Sequence, residues 1–95
     1  MRVPVELDPD VDDEAPAGEA ITDYDERHYV TYPRLLDAKA EGADWKEVAQ
    51  IVLRRDPAAE ELRTYSCWQS HLERAQWLSR EGYRKILEQA TANKA

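Results

Sequence analysis

Apolar side chains recur at helical spacing from Tyr24 onward and show no helical repeat before it. Tyr24, Tyr29, Tyr32, Leu35 and Leu36 begin the pattern, with Thr22 or Asp23 placed to cap a helix start. Pro33 lacks an amide proton. Two outcomes are therefore compatible with this stretch: a kink at Tyr32–Pro33, or a helix that restarts with Pro33 in its first turn. Gly42 ends it, three residues after Lys39. The next helix is better signalled. Asp44 stands at the N-cap with Glu47 three residues on, a capping-box arrangement. Trp45, Val48, Ala49 and Val52 form one inward stripe, which Ile51 and Leu53 widen. Arg54 and Arg55 suit its C-terminal dipole, and Asp56-Pro57 stops it.

Residues 56–63, DPAAEELR, read as a connector with room for one helical turn. A third helix is expected from about Thr64, with Tyr65, Trp68, Leu72, Ala75 and Ser79 on its inner side and Leu78 at the edge. Gly82 breaks or reverses the chain. A short helix from Tyr83 to about Ala90 then turns Tyr83, Ile86 and Leu87 inward, and residues 92–95 fray. Period-2 alternation occurs only around Val3–Leu7, where Pro4 and flanking acids oppose a sheet. The expected fold is all-α: a small helix-turn-helix-like bundle of about four helices over residues 23–91, preceded by a disordered acidic arm at residues 1–22.

Charge sharpens that division. The formal net charge is −7, but residues 1–26 hold ten of the twenty acids against one base, while residues 27–95 hold the other ten against twelve bases. Pro4, Pro9, Pro16 and Gly18 interrupt the leader, and like charges repel along it, so it reads as a flexible solubilising tail. A sharper reading is a strip that imitates nucleic-acid charge or docks on a basic partner. The leader has no apolar stretch of the secretory kind, and no run reaches the roughly 18 apolar residues of a membrane span. The cytoplasm is the expected location, with no membrane association.

Candidate chemistry is sparse. Cys67 is the sole cysteine, so it makes no internal disulfide and shares no zinc with a second thiol; inert partial burial is expected. His28 and His71 lack further metal ligands at ordered spacing. Ser66 and His71 lie five apart and face different ways on a helix, and His71 reads as a solvated or flanking residue. Gly18, Gly42 and Gly82 are too scattered for a phosphate loop. The chain is therefore expected to be no enzyme, with no cofactor, metal or small-molecule ligand.

Surface recognition remains. Trp77 falls roughly 160–180° around an ideal helix from Trp68 and Ala75. Either the final helix folds back to cover it, or it anchors a partner. Arg54, Arg55, Arg63, Arg74, Arg80, Arg84 and Lys85 make a weak basic patch of ordinary solvated charges, interleaved with Glu73, Glu81 and Glu88. The exposed side of the third helix offers Gln69, Ser70, Glu73, Arg74 and Gln76, a poor grip for phosphates.

The runs LLDAKAEGADWKEVAQIVL and TYSCWQSHLERAQWLSREGYRKIL resemble a proteobacterial family of domains of unknown function found on integrative and conjugative elements. That family includes QseM-like antiactivators, and related domains close the FseA-type transcriptional activators. The resemblance covers residues 24–90. It implies a helix-turn-helix-like fold used in two ways. In the activators the domain contacts DNA. In stand-alone proteins it binds the activator, through a short N-terminal helical module, and keeps the excision and transfer genes silent. The connector after Arg55 exceeds the usual ~3–4-residue turn and argues against standard major-groove docking. Three functions are thus weighed: an antiactivator, a DNA-binding regulator, and a passive assembly or toxin–antitoxin-like partner. The first is expected, with Tyr29, Tyr32, Trp68 and Trp77 as partner-binding residues.

Overall fold

The computed structural model describes residues 4–82. Four α-helices follow one another: α1 (Asp23–Arg27), α2 (Thr31–Ala40), α3 (Trp45–Ile51) and α4 (Glu61–Trp77). A π-helical segment, Leu78–Gly82, continues α4. No strand occurs among the described residues, so the expected all-helical architecture holds. The expected helix at Tyr83–Ala90, the domain's end at residue 91 and the frayed residues 92–95 lie outside the described residues.

Local chemistry explains most of the boundaries. Thr22 caps α1: its hydroxyl accepts from the Asp25 N–H at 3.1 Å, and the Asp25 carboxylate accepts from the Thr22 N–H at 2.9 Å. Residues 28–30 separate α1 from α2, which restarts with Pro33 in its first turn. The missing proline N–H has no intrahelical acceptor there in any case. At the far end of α2, Ala43 N–H reaches Ala38 O and Gly42 N–H reaches Lys39 O. Gly42 adopts φ +73°, the left-handed conformation that this reversal requires.

Three boundary expectations need correction. Asp44 does occupy the N-cap of α3, but its side chain makes no capping hydrogen bond, so the Asp44–Glu47 box is not formed. The third long helix begins at Glu61 rather than Thr64, absorbing much of the expected connector. Residues 52–60 still separate α3 from α4, longer than a tight helix-turn-helix joint. Arg54, expected at a helix terminus, lies beyond it with φ +58°.

α4 is the axis of the bundle, with α2 and α3 packed on it. Tyr32 and Leu35 from α2, Val48 from α3, Val52 and Leu53 just after it, and Cys67, Leu72 and Ala75 from α4 make the core. Ile51, expected to widen the inner stripe of α3, is 57% exposed; Leu53 does fill the core. No described helix is long and apolar enough to cross a membrane.

The buried stripe of α4 is rotated from the one the apolar periodicity suggests. It runs Thr64, Cys67, His71 and Arg74, with Leu72 and Ala75 beside it. Tyr65 is exposed and Trp68 half-buried. His71 and Arg74, read as solvated, are both buried. The leader accounts for the rotation. Residues 4–22 carry no regular secondary structure, yet they run as a strap against α1 and α4, tied by hydrogen bonds from Glu6 to Ala20. A flexible arm was expected over residues 1–22; the described part is docked because its backbone carbonyls meet buried donors.

Candidate functional site: an apolar groove and a clasped leader

One flank of α2 and the end of α4 enclose a groove of about 360 Å³. Tyr29, Pro33 and Leu36 supply one wall at spacings of four and three residues, Leu78 and Ser79 the other, and Tyr32 and Ala75 the floor. Tyr32 is buried and its hydroxyl donates to Asp25 Oδ1 at 2.9 Å. Burial and the adjacent Asp25 charge push its pKa up, so it stays a neutral donor.

The four residues nominated from sequence do not share a face. Tyr29 and Tyr32 meet in the groove. Trp68 lies on the other flank of α2, in a recess of about 280 Å³ with Leu35, Trp45 and Val48. There its ring stacks obliquely on Trp45 and Tyr65, with centroids 6.0 and 5.6 Å away. Trp77 faces residues 14–19 of the leader across a crevice, and the Arg74 guanidinium sits 4.3 Å over its ring. The expectation that a final helix covers Trp77 lies outside the described residues. Pro33, Leu36 and Leu78 were not nominated; the Tyr29–Pro33–Leu36 spacing is the signal that could have found them.

Behind the groove lies a polar core. Asp25 and Arg74 form a buried ion pair at 2.7 Å, with a second bond from Arg74 Nε to Asp25 Oδ1 at 3.0 Å. Burial alone would raise the Asp25 pKa. The Arg74 guanidinium, the Thr22 N–H and the Tyr32 hydroxyl outweigh it and hold the carboxyl below its ordinary value. Arg74 also donates to Gly18 O and Ala20 O, each at 2.7 Å, so one side chain joins α4, α1 and the leader.

The two histidines are fully buried. His71 donates from Nδ1 to Cys67 O at 2.7 Å and accepts at Nε2 from the Tyr24 hydroxyl at 2.6 Å. That requires the neutral ring, and burial lowers its pKa accordingly. The Tyr24 hydroxyl in turn accepts from the Asp12 N–H, and burial pushes its pKa up to about 12. His28 faces two carbonyls, Tyr24 O at 2.7 Å and Asp10 O at 2.8 Å. Cys67 lies 3.8 Å from His71, but its thiol donates to Asp12 O at 3.3 Å and burial raises its pKa. That pair is engaged structurally and does not form an activated thiolate. No cluster of three or more metal-ligating side chains occurs among the described residues.

Of the nominated basic patch, Arg84 and Lys85 lie outside the described residues, and Arg54, Arg55, Arg63 and Arg74 are ion-paired. Asp8 pairs with Arg54 at 2.7 Å, and Asp13 pairs with Arg55 at 2.8 Å and Arg63 at 3.0 Å. Hydrogen bonds from Arg63 and Arg55 hold the Asp13 carboxyl below its ordinary pKa. The leader thus lays its own carboxylates along arginines of the body. Compared with protein-family models and with curated proteins, the chain matches none.

Proposed function

We propose that this protein is an antiactivator: a non-catalytic regulator that binds a transcriptional activator of a mobile element's excision and transfer genes and blocks it. Its ligand is the short N-terminal helical module of that activator, laid in the groove between α2 and the end of α4. The observation that carries this reading is the groove itself. Its lining is apolar or aromatic apart from Ser79, and Tyr29, Pro33 and Leu36 repeat at the spacing of an α-helix. A helix presenting apolar residues at i, i+3, i+4 and i+7 fits such a surface. That the partner is such an activator is what the sequence resemblance implies. The pairing of Arg54, Arg55 and Arg63 with the leader supports a protein target over a duplex, since those guanidinium groups already hold carboxylates.

The test is a titration of the full chain with a fluorescent peptide of the activator's N-terminal module. Leu36→Glu puts a charge on the groove wall and should weaken binding by more than tenfold, about 1.4 kcal/mol, while the far-ultraviolet circular dichroism stays unchanged. Unaltered affinity in a folded Leu36→Glu variant, or no binding by the wild type, would remove this reading.

A further inference from the structure

The leader is held in a way that differs from ordinary tail packing. Most of its side chains face outward, apart from Pro9, which is buried, and Val11, which packs on the core; most of the hydrogen bonds that hold it are made to its backbone. His28 donates to Asp10 O, Arg55 to Val11 O at 2.6 Å, the Cys67 thiol to Asp12 O, and Arg74 to Gly18 O and Ala20 O. In the other direction, the Ser70 hydroxyl accepts from the Ala15 N–H at 3.0 Å. Five of these six contacts are made to carbonyl oxygens, which every residue carries. Three side-chain positions on the described leader are paired by charge: Glu6 with Arg27, Asp8 with Arg54, and Asp13 with Arg55 and Arg63. These are the components of a peptide-recognition site, with main-chain bonds for affinity and charged positions for selectivity.

We infer that the cleft along α1 and the outer face of α4 is a binding site for an extended, aspartate-bearing segment of a partner protein, with residues 8–20 of the chain as its resident occupant. The site is separate from the apolar groove and does not depend on that groove's function. These partners stay on the body when the leader lifts away, because the donors His28, Arg55, Cys67 and Arg74 and the acceptor Ser70 all lie after residue 22. A competing segment needs no helical propensity. It needs a free main chain at the positions matching residues 10–12 and 18–20, and carboxylates spaced as Asp8 and Asp13 are. The leader sets the threshold: a partner enters only by displacing it.

The experiment uses the full chain with a protease site placed between Ala20 and Ile21, cut after folding. The released leader should remain bound, and the helical circular dichroism should persist. A labelled peptide of residues 4–20 should then exchange into the cleft. Asp8→Asn with Asp13→Asn in that peptide should weaken its binding by about tenfold or more, as should Arg55→Ala in the body. Lys46→Ala, on α3 and away from the leader, should change nothing. Loss of helical signal on cutting would show that residues 8–20 are part of the fold rather than a ligand, and would overturn the inference. Dissociation of the leader with no peptide re-binding to intact helices would overturn it as well. So would displacement of the peptide by an equally charged DNA duplex at the same concentration, because a duplex offers no peptide carbonyls.

Discussion

The two long faces of α4 are built on different physics. Toward α2 and α3 the helix presents Leu72 and Ala75 to Leu35, Val48 and Leu53, and shape and area hold it there. Toward the leader it presents Cys67, Ser70, His71 and Arg74, and almost every polar atom is matched to a named partner. No buried side-chain nitrogen or oxygen among the described residues lacks a hydrogen bond. An apolar face tolerates change in proportion to lost volume. A polar face fails by leaving a group buried and unpaired. The contrast predicts where this protein breaks.

The largest effect should come from Arg74→Ala, which strands the Asp25 carboxylate in the interior. Removing one partner of a buried pair costs about 3–5 kcal/mol, and the midpoint of urea unfolding would show it. A loss under about 1 kcal/mol would mean that the pair is solvated. Leu35→Ala, on the apolar side, should cost about 2–4 kcal/mol through lost burial and a cavity. If it proved worse than Arg74→Ala, the ordering of the two faces would be reversed.

The next effect is pH-dependent. The folded-state pKa of His71 lies below its ordinary 6.5, so the unfolded chain binds the extra proton first. Stability from this residue is present above pH 6.5 and declines as the pH falls. Asp25, with its lowered folded-state pKa, acts in the same direction at more acid values. Unfolding free energies measured from pH 7.5 to pH 5 should slope downward, and His71→Gln should flatten that slope. An unchanged slope in that variant would locate the titration elsewhere. The smallest effect concerns Cys67, whose thiol lies under the leader. A thiol reagent should modify it slowly in the native protein, and Asp13→Asn should speed the reaction a few-fold by loosening the leader's clasp on Arg55 and Arg63. Equal rates would show that the thiol is exposed by some other opening.

The same contrast decides what could be read from sequence. The apolar pattern located α2 and α3, because Gly42, Asp44 and the proline positions mark their ends through local geometry. It misplaced the inner stripe of α4, because periodicity registers Tyr65, Trp68 and Leu72 and gives no weight to His71 or Arg74. Those two are buried only because Tyr24, Asp25 and the carbonyls of residues 18 and 20 meet them from about 50 positions away. The leader was read by its prolines and acids, which do signal a solvated chain. What docks it is chiefly its backbone, of which composition carries no trace, together with Glu6, Asp8 and Asp13, whose arginine partners lie far along the chain. Half of the candidate groove was legible through Tyr29 and Tyr32. Leu78 was placed only at the edge of its helix, and Trp68 and Trp77 proved to line other recesses.

The way Arg74 reaches the carbonyls of Gly18 and Ala20, while His28 holds that of Asp10, ties the leader at fixed intervals. Such a tether measures distance rather than spelling. Exchanging Ala17 or Glu19 for another residue keeps the beat, whereas one residue inserted between Asp12 and Gly18 throws every later oxygen out of step by about 3.3–3.6 Å, the span of one extended residue.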